Sequence, residues 1–178
     1  MFGANVFGVM QMCQVFLPEL LAVKGTIINM GSIAGHLPIP FMSAYAASKA
    51  AVHAYSGSLR VELAPLGVKV IYVMTGNVKT NTVNQRYHLE EKSFWYPVKD
   101  KFDLEQEKAA TTGMDSGDFA KRLADKTLIN PANIIWVGEG AFMCRAILAL
   151  ERYLPFRLWP SAFSQGYGMK RIDNQHKN

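Results

Sequence analysis

Apolar residues recur at helical intervals from about residue 4 to residue 23. Val6, Met10, Cys13, Phe16 and Leu17 or Leu20 form the stripe, and Lys24-Gly25 closes it; the spacing predicts a helix. The pattern then changes to the β-branched run "GTIINMGS", flanked by glycine and apolar enough for a strand covered on both faces. Proline-punctuated "AGHLPIPF" reads as loop. Ser43 is the expected N-cap of a second helix that runs to about Ala64, where Pro65 and Gly67 end it. "VKVIYVM" reads as another buried strand. Helix, strand, helix, strand is the order of a parallel sheet with helices on its faces, so the predicted class is α/β.

Beyond Thr75 the pattern loses its period. The stretch up to Gly113 is polar and mixed, and reads as a long excursion with one or two short helices, of the kind used as a lid. Asn130-Pro131 places proline at the first turn of a final helix, expected to continue to about Leu150. The tail "RYLPFRLWPSAFSQGYGMKRI" mixes aromatics with Arg and Lys. No internal repeat or low-complexity tract interrupts the chain.

Composition narrows the picture. A chain of 178 residues with 49% apolar content can bury one real core. Cys13 and Cys144 sit among apolar residues, too few for a disulfide framework and without zinc spacing, so both are expected as buried thiols in a reducing compartment. The apolar start has no basic leader and is broken by Asn5, Gln11 and Gln14, which argues against a signal peptide. The formal charge of +5 is scattered rather than striped, which disfavours nucleic acid as a partner. His36, His53 and His88 lack metal-ligand spacing; no metal site is expected.

The candidate chemistry lies in "SAYAASKAAVHAYSG", residues 43 to 57. Residues four apart share a helix face, so the phenol of Tyr45 and the ammonium of Lys49 can approach each other. A free tyrosine loses its proton near pH ~10, and a neighbouring cation favours the phenolate. Such a pair is common on ordinary helix surfaces, so spacing alone does not make it a site. Its setting does. Ligands of open parallel sheets lie beyond the carboxyl ends of the strands. Ser32 ends the first strand and Thr75 to Thr80 follow the second, so both could converge with Tyr45 on one crevice.

Taken together, "NVFG" at Asn5, "GTIINMGSIAG" with Ser32, "YAASK" thirteen residues after Ser32, and "TGNVKT" after a strand resemble the short-chain dehydrogenase/reductase family. The resemblance covers roughly residues 1 to 84, and within the family it points to fungal reductases related to 1-acyldihydroxyacetone-phosphate reductase. It implies a partial Rossmann-like, doubly wound parallel sheet, the C-terminal half of the family fold. It also implies an NADP- or NAD-dependent oxidoreductase interconverting a carbonyl and a secondary alcohol on an apolar small molecule, a lipid or secondary-metabolite intermediate. Tyr45 would give and take the proton, Lys49 would favour its ionised form and hold the nicotinamide ribose hydroxyls, Ser32 would bond the substrate oxygen, and Asn5 would support a water relay behind Lys49. Gly76, Val78 and Thr80 would meet the cofactor. The family's usual Pro-Gly is here Thr75-Gly76. On this reading residues 1–84 are the catalytic half of the domain, 85–130 the substrate lid, and 131–178 a C-terminal helix and aromatic-basic tail.

One departure is large. No G-x-x-x-G-x-G occurs, and the residue that would choose between the two nicotinamide cofactors is missing, so the adenosine half of the site is not built from this sequence. A sheet lacking those strands is expected to show an unpaired edge and an uncovered apolar face. Three readings stay open: a fragment or truncated gene product of a full enzyme, which is favoured; a degenerate copy that catalyses nothing; and a non-catalytic partner of a full-length relative. The helices at 4–23 and 43–64 commonly form the family's subunit interface, so a homo-oligomer is considered. The tail, with Trp136, Phe142, Tyr153, Phe156, Trp159 and Phe163 among basic residues, suits either a pocket wall or peripheral membrane contact. The expected location is cytoplasmic, with the endoplasmic reticulum or lipid droplet surface as the peripheral alternative.

Overall fold

A computed structural model describes residues 1–80, 87–129, 131–150, 153 and 158–173, with backbone only at 158, 159 and 173. The chain opens on a wide π-type turn, Gly3–Phe7, and continues as α1 (Gly8–Val15) and α2 (Leu17–Val23). The single helix expected over 4–23 is therefore broken. Pro18 cannot donate to the helical ladder and its ring crowds the preceding turn, so Phe16 leaves helical geometry at ψ 0° and the axis bends by 52°. Lys24, at φ 51°, closes α2 in the left-handed region.

Next come β1 (Thr26–Met30), α3 (Ser43–Leu63) and β2 (Lys69–Thr75). Ser43 is the first residue of α3 rather than its cap; Met42 precedes it and makes no side-chain capping bond. A short 3₁₀ turn at Ala64–Leu66 and Gly67 at φ 80° carry the chain into β2. The excursion up to Gly113 holds a 13-residue helix, α4 (Lys99–Thr111), and a second 13-residue helix, α5 (Ser116–Leu128), follows it. Asp115 caps α5, its Oδ1 accepting from the N–H groups of Gly117 and Asp118 at 2.8 and 3.2 Å.

The helix expected from Pro131 to Leu150 is corrected in its first half. Ile134–Val137 is a strand, β3, and only Ala141–Leu150 is helical, as α6. The β-branched pair Ile134-Ile135 with Trp136 favours extended backbone. Gly138 and Gly140, at φ 100° and 76°, then make the sharp turn into α6. The described chain ends with α7 (Leu158–Gly166) and α8 (Lys170–Asp173); Arg171 Nη1 donates to both carboxylate oxygens of Asp100, at 2.8 and 3.0 Å, and ties α8 to α4. Phe156, Arg152 and Arg157 of the expected tail, and the side chain of Trp159, lie outside the described residues.

The three strands form a parallel sheet in the order β1-β2-β3. β2 is central and covered on both sides. Val6, Val52, Tyr72 and Met74 pack together on one side, beneath the opening turn and α3; Ile71, Val73, Ile135 and Val137 pack on the other, against Phe119 and Leu123 of α5. A third cluster joins Cys13 to Ile27, Leu63, Val68 and Val70. Both thiols are buried. The expectation of a first strand covered on both faces fails: β1 alternates, with Ile27 and Asn29 buried but Ile28 and Met30 still 41% and 42% exposed. α5 packs over β2 and β3 and leaves that face of β1 open. Among the described residues no single helix is long and apolar enough to cross a membrane.

Candidate active site

Ser32 follows the carboxyl end of β1, Gly76, Val78 and Thr80 follow that of β2, and Tyr45 and Lys49 lie in the first two turns of α3. Ser32 stands two residues beyond β1 in extended backbone, and its Oγ accepts from the N–H of Ala34 at 3.1 Å, capping the short 3₁₀ turn Ile33–Gly35. As acceptor in that bond, the hydroxyl keeps its own proton to donate. Ser32 is buried, at 8% exposure.

Tyr45 and Lys49 lie on one face of α3, with the Lys49 ammonium 5.8 Å from the centre of the Tyr45 ring. The ammonium donates to the carbonyl of Met30 at 3.1 Å, so it leans on the exit of β1, two residues before Ser32. Partial burial of Lys49 pushes its pKa below the usual lysine value, because desolvation disfavours the charged form.

Asn5 lies in the π-type turn, a geometry frequent at functional sites. Its amide donates to Ser48 Oγ at 3.0 Å, and that hydroxyl donates to the Tyr45 carbonyl at 2.7 Å. Ser48 is fully buried, so this chain of bonds fastens the opening turn to the turn of α3 that bears Tyr45.

Gly76 follows β2 where the chain passes directly over the Gly138-Glu139 turn; a Cβ at Gly76 would fall 2.1 Å from the Glu139 carbonyl oxygen. Asn77 and Glu139 exchange backbone bonds at 2.8 and 3.0 Å, and the Asn77 amide donates to the Thr112 carbonyl at 2.6 Å, which anchors the end of α4 to this loop. Val78 pairs with Met114 and is half-buried, whereas Thr80 is exposed. Thr75 Oγ1, at the end of β2, is buried without a hydrogen-bond partner among the described residues.

Two features escaped sequence reasoning. Tyr72, in the middle of β2, accepts from the Ser32 N–H at 3.4 Å and donates to the Lys49 carbonyl at 3.1 Å. The warning sign was a phenol in an otherwise apolar strand, since a buried hydroxyl needs a partner. His53 packs its ring 4.7 Å from Tyr72 and 4.7 Å from His36, whose Nε2 is buried and unpartnered among the described residues. Burial lowers the pKa of both imidazoles, with the charges of His36 and Arg60 adding to the effect at His53.

Beside these groups an aromatic cluster gathers around Phe41, four residues before Tyr45. Trp95, Phe102 and Tyr167 approach it with ring centres 5.7, 4.9 and 6.0 Å away. The tail thus joins this cluster through Tyr167. Of the other tail aromatics, Trp136 packs against the core, while Phe142 and Tyr153 are exposed. An open trough of about 630 Å³ runs along the outer edge of β1, between Asn5, Gly8 and Met12 on one side and Ile28, Met30 and Lys49 on the other.

Known proteins resemble this chain in sequence and fold. The family model described as short chain dehydrogenase matches residues 1–91. A short-chain dehydrogenase of Neurospora crassa, srdE, is 33% identical over 179 residues, covering 99% of this chain and 61% of the relative. The NADPH-dependent 1-acyldihydroxyacetone phosphate reductase of Saccharomyces cerevisiae is 31% identical over 99% of this chain and 60% of its own length. Among solved structures, a short chain dehydrogenase from Burkholderia cenocepacia in complex with NADP superimposes with a TM-score of 0.64 at 26% identity, over 85% of this chain and 54% of that one. The chain therefore spans about three fifths of the length of the curated relatives it matches.

Proposed function

The chain belongs to the short-chain dehydrogenase family, and from that premise we propose that it interconverts a carbonyl and a secondary alcohol with a nicotinamide dinucleotide, Tyr45 exchanging the proton. The observation that carries this reading is the placing of Lys49. Its ammonium stands 5.8 Å from the Tyr45 ring centre and donates to the Met30 carbonyl at the exit of β1, on the side of the sheet end where ligands of such sheets lie.

The residues present fit the nicotinamide end of the cofactor. Lys49 would hold the ribose hydroxyls, and the Thr75 hydroxyl, without a partner among the described residues, with the Gly76, Val78 and Thr80 loop would receive the ring and the nearest phosphate. No described turn carries the three-glycine cradle of the other half, so the roles assigned stop there. NADP bound by the Burkholderia neighbour and the NADPH named for the yeast relative favour the phosphorylated form. When bound, the nicotinamide supplies or accepts the hydride. As charge grows on the carbonyl oxygen, the Ser32 hydroxyl donates a hydrogen bond to it and Tyr45 delivers its proton, which stabilises that charge where it appears. Asn5 holds the Tyr45 turn through Ser48 and supports the proton relay behind Lys49. The wall of Phe41, Trp95, Phe102 and Tyr167 suits an apolar substrate, a lipid or secondary-metabolite intermediate.

Calorimetric titration of the purified chain with NADPH tests the cofactor half of the reading: saturable heat in the wild type and its loss in Lys49→Met are expected, and equal heats in the two overturn it. Turnover of a carbonyl probe should fall by roughly 10²–10⁴ in Tyr45→Phe. A second reading, a binding partner of a full-length relative, draws on the exposed Phe7, Met12 and Val15 of the first helices and Val61 of α3. Co-purification with such a relative in place of turnover would favour it.

A further inference from the structure

Tyr72 is the one aromatic residue in β2. It is completely buried at the strand's centre, opposite Asn29 of β1 and Ile134 of β3. A hydroxyl in such a place is costly unless bonded. Tyr72 bonds two groups from different elements, the N–H of Ser32 beyond β1 and the carbonyl of Lys49 inside α3. No other described side chain spans these two backbones.

The neighbouring residue is shaped to this phenol. A Cβ at Gly31 would fall 2.0 Å from Cζ and 2.1 Å from the hydroxyl oxygen of Tyr72. The backbone of Gly31 is outside the left-handed region, so its conformation does not call for glycine. The three nearest atoms that a Cβ there would meet all belong to the phenol.

We infer that Tyr72 is a positioning residue that fixes the Ser32 loop against the Lys49 turn of α3, and that Gly31 is the matching gap that lets its hydroxyl reach both. The link itself stands on geometry; its value for catalysis rests on the oxidoreductase reading above. Burial pushes the Tyr72 phenol up to about 12, while the bond from Ser32 works against that shift and Tyr45 adds a lesser upward push. Tyr72 therefore keeps its proton near neutral pH and acts as a fixed donor to the Lys49 carbonyl, not as a shuttle.

Residue-resolved hydrogen exchange on the purified chain tests the link without any need for turnover. Tyr72→Phe keeps the ring and removes both bonds, so the Ser32 amide should exchange on the order of tenfold faster. The amides of Val70, Ile71 and Val73 in the same strand should hold their rates. An unchanged Ser32 amide overturns the proposal. So does uniform acceleration across β2 and α3, which would make Tyr72 mere core filler. The gap is tested by a double-mutant cycle: Gly31→Ala should destabilise the chain strongly, and Gly31→Ala with Tyr72→Val should lose less than the two single losses added together. Strict additivity overturns the matching of residue 31 to residue 72. If the exchange result holds while the wild type neither binds NADPH nor turns over a carbonyl probe, the oxidoreductase reading fails and the link between Ser32 and Lys49 stands.

Discussion

β1 and β2 run side by side in parallel register, Ile28 against Ile71 and Met30 against Val73, and both are rich in β-branched or long apolar residues. Their surroundings differ completely. Residues 70 to 74 of β2 are all buried, whereas β1 hides only alternate residues and presents Ile28 and Met30 on an open face beside the trough. Apolar composition therefore does not decide how a strand is used; its neighbours do. The central strand carries the rigid link between Ser32 and Lys49, and the edge strand supplies the carbonyl on which the Lys49 ammonium rests.

The contrast is sharpest under truncation. Tyr72→Ala removes a wholly buried ring from the middle of the sheet and leaves a cavity against Val6, Val52 and Met74, so it should cost about 3–5 kcal/mol, read as a lower urea midpoint. A loss no greater than that of an average surface substitution would mean that β2 is not the core strand described here.

Next in size is a polar group on the buried side of β1. Asn29, 5% exposed, donates to Ser56 Oγ at 2.9 Å and lies within 3.8 Å of the Cys13 thiol, joining the edge strand to α3 and α1. Asn29→Ala should cost roughly 1–3 kcal/mol, because Ser56 loses a buried partner. If the same urea titration shows no loss, β1 is held by its ladder to β2 alone.

A weaker effect follows from the imidazoles behind Tyr72. The pKa values of His36 and His53 are both lowered in the folded chain, so the unfolded chain binds more protons as pH falls. Their contribution to stability is complete above the unperturbed value of about 6.5 and is lost progressively below it. The wild-type urea midpoint should thus fall on acidification through that window, and His36→Phe with His53→Phe, which keeps both ring contacts, should flatten the slope. Equal slopes would assign the acid sensitivity to carboxylates elsewhere.

Much of this was legible in the residues. Tyr45 and Lys49 announce a shared helix face by spacing alone, and Gly25, Pro65 and Gly67 mark the ends of their elements. Local signals were misread where two competed. Pro131 resembled a helix start, yet the β-branched Ile134-Ile135 and the glycines at 138 and 140 decided for a strand and a tight turn. Pro18 falls within the apolar period of residues 4 to 23, yet it breaks the helical ladder at Phe16. What no local pattern could carry is contact between distant residues: Tyr72 meets Ser32 forty residues away, and Asn5 meets Ser48 across forty-three. The one-sided exposure of β1 at the sheet edge agrees with the unpaired edge and uncovered face expected without the family's first strands; which of its residues are left open depends on where α5 packs, nearly a hundred residues later in the chain.

The smallest expected effect on stability is the one that would most directly break the contrast. Ile28 is 41% exposed on the face of β1 that α5 does not reach, so Ile28→Lys should change the unfolding free energy read by urea titration by no more than about 0.5 kcal/mol. The same substitution should reduce self-association strongly, because an unpaired strand edge beside an apolar face is a template for pairing, and a lysine there is a common guard against it. Light scattering across a concentration series would read the second effect. Should Ile28→Lys instead destabilise the chain as much as the loss of the Tyr72 ring, the open face must be covered in solution, and β1 would be a second core strand rather than an edge.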